Sequence, residues 1–485
     1  MILLKDILYK VPLQSVLGCT QVSIASLQFD SRNVALNDVF IALKGSAVDG
    51  HEYIDQATKN GALVIVCESL PKKIINGVTY VEVTDSHQSL ALLSANYFDH
   101  PSKKISLVGI TGTNGKTTVA SLLFQLFQQL GHSVGLISTV AIKINDQTYP
   151  STHTTPNSID IQHYLQKMVE SGVAYCFMEV SSHGIHQKRI EGLEFSGGIF
   201  TNLSHDHLDY HDTFKAYRDV KKSFFDQLPK SAFALSNADD KNGKVMLQNT
   251  AAKKTYYALK SIADYKGQIL ENQFSGMLLK VNHQEVWSRL IGTFNAYNIL
   301  AVYAASQLLH CNALEVLQIL SVLRPVDGRF EYIVSNDNIT AVIDYAHTPD
   351  ALKNVLTTIN QLRTGNETLI TVIGCGGNRD VQKRPIMAHI AATLSNKVIL
   401  TSDNPRNEDP QKIINEMEAG INPVDYKKSV SILDREQAIK TACQFASKND
   451  IILIAGKGHE TYQEIEGVRH DFDDLKIVTQ LLKRT

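Results

Sequence analysis

The residues best able to do chemistry begin with the run Gly112-Thr113-Asn114-Gly115-Lys116-Thr117-Thr118. Its two glycines let backbone N–H groups close on an anion, and a helix starting there would aim its N-terminus at the same point. Lys116 can reach the terminal phosphates of a nucleotide, and Thr117 can offer a hydroxyl to Mg²⁺. Five residues separate Gly109 from Gly115, one more than the G-x4-GK[ST] loop has, so the usual spacing is not met. The order strand, glycine-rich loop, Gly-Lys-Thr, helix nevertheless predicts ATP or GTP binding. It does not say what is done with the nucleotide.

Glu179 closes the strand-like AYCFMEV, and His207 sits in TNLSHDHLDYH after the strand-like GGIF. A carboxylate and an imidazole at strand ends near phosphates can complete a Mg²⁺ site, although imidazole is softer than Mg²⁺ prefers. The spacing in SHDHLDYH fits no closed zinc pattern, and no thiol is near. Lys221 and Lys222 follow in FKAYRDVKKSFF, and the residues alone do not choose between them. Further on, Asp403-Asn404-Pro405-Arg406 places an acid, an amide and a guanidinium around one rigid proline. Such a turn asks for a small molecule with matching charges.

The elements that must position these groups are legible in outline. ISLVGI (105–110), a loop, the helical VASLLFQLFQQLG and the strand SVGLIST predict a parallel sheet with crossover helices, continued by AYCFMEVS and GGIFTNLS. Before them, DVFIALKG and GALVIVCES read as strands, with a turn and a helix between. His100-Pro101 is a plausible boundary, because the residue before proline resists the helix. From about DGRFE onward, ITAVIDYAH, TLITVIGCGG, KVILTSDNP and DIILIAGKGHE are four strand-to-loop units alternating with helical stretches. In such sheets ligands sit beyond the carboxyl ends of the strands, where all four polar motifs fall. The expected architecture is α/β in three domains, 1–100, 101–327 and 328–485.

Composition is that of a globular chain: 485 residues, 44% apolar, 20% charged, net charge −2. Near-neutral charge with dispersed Lys and Arg argues against a general nucleic-acid or membrane-surface binder. The six cysteines, at 19, 67, 176, 311, 375 and 443, form no CxxC pair and read as reduced thiols. No signal peptide and no apolar run long enough for a bilayer is evident, which leaves the cytoplasm as the expected location.

Taken together the motifs resemble the Mur ligases, ATP-dependent amide-bond formers of peptidoglycan synthesis. The resemblance spans almost the whole chain through GTNGKTT (112–118), THTTPN (152–157), EVSSHG (179–184), TNLSHDHLDYH (201–211), NADD (237–240), GTFNAYN (292–298), GRFE (328–331), DYAHTPD (344–350) and GKGHE (456–460). GTNGKT is the family's own variant of the phosphate loop, which accounts for the spacing. FDSRNV (29–34) and DGHEYI (49–54) resemble the UDP-sugar contacts of members that extend the muramoyl-dipeptide to a tripeptide.

That resemblance implies an N-terminal UDP-sugar-binding domain, a central P-loop ATPase-like parallel sheet and a C-terminal Rossmann-like domain that binds the incoming amino acid. It implies ATP as co-substrate and Mg²⁺ held by Thr117, Glu179, His207 and Lys221, the last carbamylated, with Lys222 left as a solvated neighbour. Asn295 resembles an adenine-side contact, and Arg329, Asp344 and His347 resemble nucleotide contacts from the third domain. Ser31, Thr154, Thr155, Ser182, Gln187 and Arg189 would hold UDP-N-acetylmuramoyl-L-alanyl-D-glutamate. Members that add meso-diaminopimelate resemble this chain at Asp403, Asn404 and Arg406, whereas lysine-adding members generally lack the arginine. Arg406 would take the distal carboxylate through paired charge-assisted hydrogen bonds, and L-lysine would leave it buried and unpaired. Glu460 would answer the distal ammonium, Arg379 another carboxylate, and Gly456 would allow close backbone approach. A monomer is the family-based expectation. The rival readings are the same ligase adding L-lysine, a sibling Mur or folylpolyglutamate-type ligase, and a nucleotide-binding scaffold without turnover.

Overall fold

The structure is a computed structural model that describes residues 2–45, 48–206 and 210–483. Three separate α/β sheets follow one another along the chain. The first has five strands in the order Leu13–Leu17, Thr79–Val83, Val64–Cys67, Val39–Ile41 and Leu27–Gln28, the last four parallel. Val64–Cys67 is buried throughout, as a central parallel strand covered on both faces must be. The helix Ser86–Tyr97 starts on an Asp85 cap that accepts from Gln88 N and ends before His100, which is left-handed at φ 48°.

The middle sheet has eleven strands. Ser106–Thr111 lies between Tyr175–Glu179 and Gly197–Phe200, parallel to both. The chain leaves it through the helix Lys116–Gln129, returns in Val134–Ile137 on the far side of Tyr175–Glu179, and later crosses to Gly197–Phe200. The strand order therefore reverses beside Ser106–Thr111, and the crevice beyond its carboxyl end is where such a sheet takes a ligand. The sheet exceeds the expected parallel core. An antiparallel hairpin, Ile142–Ile144 with Gln147–Tyr149, adds one edge, and Tyr265–Gln273, Gly276–Val281 and Gln284–Ser288 extend the other. Tyr265–Gln273 is largely exposed and carries polar residues on its open face, so it lacks the apolar run that marks the buried strands.

The third sheet orders Glu331–Val334, Thr340–Asp344, Ile451–Ala455, Leu369–Ile373, Lys397–Leu400 and Ser429–Ser431, parallel except for its first strand. The helix Pro349–Leu362 begins with proline in its first turn and a Thr348 side chain that accepts from Ala351 N. Beyond the carboxyl ends of the central strands lies a hairpin, Tyr462–Ile465 with Val468–Asp471, bridged to Arg406 through Ile465.

Candidate functional site

The phosphate loop is held open by its glycines. Gly112 and Gly115 have φ 153° and 87°, and a Cβ on Gly112 would overlap Thr201 Oγ1. The helix Lys116–Gln129 has no side-chain cap, so its first N–H groups remain directed at the loop. Lys116 Nζ donates to the carbonyls of Gly112 and Thr113, each at 2.9 Å, and Lys221 Nζ donates to the same Gly112 carbonyl at 2.9 Å. Burial lowers the pKa of Lys116, opposed by Glu179 and Asp206. Lys221 is fully buried above the Tyr217 ring, and burial followed by the nearby Lys116 charge drives its pKa well below the ordinary lysine value.

Glu179 ends its strand fully buried. One carboxylate oxygen accepts from Thr139 N at 2.7 Å and the other from Thr117 Oγ1 at 3.0 Å. Arg329 reaches the same hydroxyl from the third segment, Nη2 to Oγ1 3.2 Å, while its guanidinium lies over the Tyr345 ring at 4.4 Å. Asn114 Nδ2 donates to Asp350 at 3.0 Å across the same junction. Asp344 accepts from Phe330 N at 2.7 Å; burial pushes its pKa up to about 6 against the pull of Arg329. His347 Nδ1 donates to the Tyr345 carbonyl at 2.9 Å, and burial lowers its pKa to about 4.

A cavity of about 870 Å³ joins three sets of residues. Thr113 to Thr118, Glu179 and Lys221 line one side; Thr154, Thr155, Ser182 and Arg189 line another; Arg379, Asp403, Asn404, Arg406, Gly456 and Glu460 line the third. Arg329 and His347 lie where these meet. A second cavity, about 530 Å³, shares Asn114, Gly115, Thr118 and Arg329 and holds Asn295 and Asp344. Ser31 and Gln187 line neither. Ser31 is buried at the start of a short helix whose Asp30 and Arg32 pair bidentately. Gln187 acts behind the wall: its Oε1 accepts from Arg189 Nη2 at 2.6 Å, and Arg189 Nη1 donates to the Thr155 carbonyl at 2.6 Å. Ser182 Oγ is buried with no partner among the described residues, a polar atom facing the cavity that a ligand would satisfy.

The turn at 403–406 is cross-braced. Asn404 Nδ2 donates to Glu460 Oε2 at 2.7 Å, and buried Lys457 donates to Asn404 Oδ1 and Glu460 Oε2, both at 3.0 Å. Burial opposes ionisation of Asp403, yet Lys457 and Arg435 hold its pKa below the usual value; burial and Asp403 raise that of Glu460. Gly456 sits at φ 118°, and a Cβ there would meet Asp403 Oδ2 at 2.7 Å. Arg379 donates to the Asn378 carbonyl at the cavity rim.

Three family models cover most of this sequence: Mur ligase family, catalytic domain, over residues 23–98; Mur ligase middle domain over 110–306; and Mur ligase, glutamate ligase domain, over 328–458. UDP-N-acetylmuramoyl-L-alanyl-D-glutamate--2,6-diaminopimelate ligases from Cytophaga hutchinsonii and Phocaeicola vulgatus are 52% and 51% identical to it, over 99% of this chain and 99% of each relative. The chain belongs to the Mur ligase family. A solved structure of a ligase with that same name is 31% identical, with TM-score 0.69 over 99% of this chain and 98% of the other.

Against the family pattern, two expectations change. Lys222 is not solvated: it is buried and its Nζ holds Asp226 at 2.7 Å, an i,i+4 pair visible in the sequence as KKSFFD. Arg406, expected to be buried, is only half-buried; its Nη1 donates to the Gly377 carbonyl at 2.7 Å, and its Nε lies 3.7 Å from Glu464. His207 falls outside the described residues. Sequence reading missed Lys457, although it lies inside GKGHE, and it missed Asp206, which lines the larger cavity near both lysines. The burial of Lys457 against Asn404 and Glu460 is a tertiary property.

Proposed function

We propose that this Mur ligase joins meso-diaminopimelate to the D-glutamyl carboxylate of UDP-N-acetylmuramoyl-L-alanyl-D-glutamate at the expense of ATP, a cytoplasmic step of peptidoglycan synthesis. The observation that carries the reading is the single cavity joining phosphate loop, Ser182–Arg189 wall and Asp403–Arg406 turn. The names of the relatives agree with it. In this reading residues 1–100 hold the UDP-sugar with Ser31, 101–327 bind ATP, and 328–485 present the amino acid. The chain acts as a monomer, with no nucleic-acid or membrane partner.

ATP would place its phosphates on the loop at 112–118 and its base in the smaller cavity near Asn295, with Arg329, Asp344 and His347 closing from the third segment. The γ-phosphoryl passes to a glutamyl carboxylate oxygen, ADP leaves, and an acyl phosphate remains. Thr154, Thr155, Ser182 and Arg189, the last steadied by Gln187, hold the peptide so that this carboxylate faces the loop. Lys116 and Arg329 bring positive charge to the transferring group. The amine of diaminopimelate attacks the acyl carbon, phosphate leaves, and the amine gives up a proton. Asp403, Asn404, Arg406, Gly456, Glu460 and Arg379 orient that amino acid and exclude water around it.

Thr117 Oγ1 and the Glu179 carboxylate offer adjacent hard oxygens beside the loop, a donor set that suits Mg²⁺ shared with substrate phosphates. His207 is assigned to the same group. An ammonium at Lys221 would repel the ion, but a deeply buried, neutral amine can take up CO₂ and lose a proton to become an anionic carbamate. Mg²⁺ there supplies charge neutralisation of the phosphates.

The test is phosphate release from the purified protein with Mg-ATP and UDP-N-acetylmuramoyl-L-alanyl-D-glutamate, adding meso-diaminopimelate or L-lysine, with product mass confirmed. Release with diaminopimelate alone is expected. Release with lysine alone would overturn the amino-acid assignment, and release with neither would overturn the ligase assignment.

A further inference from the structure

The run Asn237-Ala238-Asp239-Asp240 follows the strand Phe233–Asn237, yet no step of the proposed reaction uses its side chains. That strand lies between two parallel neighbours, Gly197–Phe200 and Lys253–Ala258. Two adjacent carboxylates therefore emerge between the exit loops of two other strands, at the edge of the sheet where a ligand sits. They bond in opposite directions.

Asp239 turns to the loop after Lys253–Ala258. Its Oδ2 accepts from Leu259 N at 2.8 Å and Lys260 N at 2.9 Å, and its Oδ1 accepts from Ser261 N at 2.7 Å. The same Oδ2 accepts from Tyr297 Oη at 2.9 Å, on the helix Thr293–Leu308 that also carries Asn295. Burial opposes the charge of Asp239, but donors from Ser261, Lys260 and Tyr297 hold its pKa below the usual carboxylate value. Asp239, Lys260, Tyr297 and Asn295 all line the smaller cavity. One anion thus pins two walls of that cavity, loop 259–261 and the start of the helix, to each other.

Asp240 turns to the loop after Gly197–Phe200, and its Oδ2 accepts from Leu203 N at 2.8 Å. The segment it holds is bonded to the phosphate loop. Thr201 Oγ1 donates to the Asn114 carbonyl at 2.6 Å, Asn202 Oδ1 accepts from Asn114 N at 3.0 Å, and the Asn202 carbonyl accepts from Thr113 N at 2.8 Å.

We propose that these neighbouring aspartates divide the nucleotide site between them as positioning residues. Asp239 sets the nucleoside end through Tyr297 and loop 259–261, and Asp240 sets the phosphate loop through residues 201–203. The proposal rests on the ATP reading and adds two residues to it. An ionised carboxylate is a stiffer tie than a neutral acceptor, because charge-assisted hydrogen bonds are shorter and stronger. Asparagine keeps the shape and removes the charge, so each end of the site should loosen separately.

The experiment titrates the whole chain, as wild type, Asp239→Asn and Asp240→Asn, with adenosine, inorganic tripolyphosphate and ADP in the presence of Mg²⁺, by calorimetry. Asp239→Asn is expected to weaken adenosine and ADP about 10-fold or more and to leave tripolyphosphate unchanged. Asp240→Asn should weaken tripolyphosphate and ADP by a similar factor and leave adenosine unchanged. The KM for diaminopimelate should hold in both, which a general loss of structure would not allow. Tyr297→Phe removes one hydroxyl; it should weaken adenosine about 2- to 10-fold and add little on top of Asp239→Asn. Asp240→Glu keeps the charge and should recover part of the tripolyphosphate loss. These two variants carry the comparison if an asparagine variant does not fold. Equal losses on adenosine and tripolyphosphate, or no loss on either, would overturn the division while leaving the nucleotide reading intact. Absence of ADP binding by the wild type would overturn both.

Discussion

Arg329 donates from Nη2 to Thr117 Oγ1 across 3.2 Å, joining two residues 212 positions apart. The same hydroxyl donates to Glu179, so one threonine ties the third segment to the end of a central strand. With Asn114 held to Asp350, the phosphate loop is bonded to the face that would close over a nucleotide.

Replacing Arg329 with alanine removes both the bond to Thr117 and the stack on Tyr345. The expected outcome is an about 10- to 100-fold fall in kcat/KM for ATP. Arg329→Lys should recover little, because an ammonium reproduces neither the planar stack nor the fork. Steady-state kinetics at varied ATP checks this; an unchanged constant would show that the bond plays no part in nucleotide use.

The two adjacent lysines should separate chemically. Lys221 is buried with its pKa driven well down, first by burial and then by Lys116, whereas Lys222 is paired with Asp226. A carbamate carbon signal after exposure to ¹³C-bicarbonate should persist in Lys222→Ala and vanish in Lys221→Ala. Activity should drop in CO₂-depleted buffer and return with bicarbonate. A signal that survives Lys221→Ala would remove the carbamate from this position.

Asp344 gives a pH-dependent stability with a definite sign. Burial raises its carboxyl from 3.8 to about 6, so between those values the fold keeps a proton that the unfolded chain has lost. Stability therefore falls as pH rises through this window, and above about pH 6 the fold bears the cost of a buried carboxylate. Asp344→Asn should match wild type near pH 4 and gain at most about 3 kcal/mol above pH 6. Denaturant melts at several pH values measure the gap; a gap largest at low pH would reverse the assignment.

Gly456→Ala should act on the amino acid and not on the nucleotide. The backbone is left-handed at φ 118°, and the new methyl would press on Asp403 Oδ2. A stability loss of about 1 kcal/mol or more and a raised KM for diaminopimelate are expected, with the KM for ATP unchanged. A matching rise in both constants would mean that the whole third sheet had shifted.

Much of this protein was legible before any fold was known. The apolar runs before TSDNP, GCGG, YAH and GKGHE marked buried parallel strands, and GTNGKTT marked an anion loop, because turns and burial periodicity are written within a few residues. The strands from Tyr265 to Ser288 stayed hidden, since strands with a face open to water carry no continuous apolar signature. The site divides in the same way. The types and order of its residues could be read in line, the choice between Lys221 and Lys222 coming only from the family resemblance; partners could not. Lys457 against Glu460, Glu464 against Arg406 and Arg329 against Thr117 arise where separate sheets and loops meet. Their energies depend on distance and burial in space, and neither quantity is encoded in spacing along the chain.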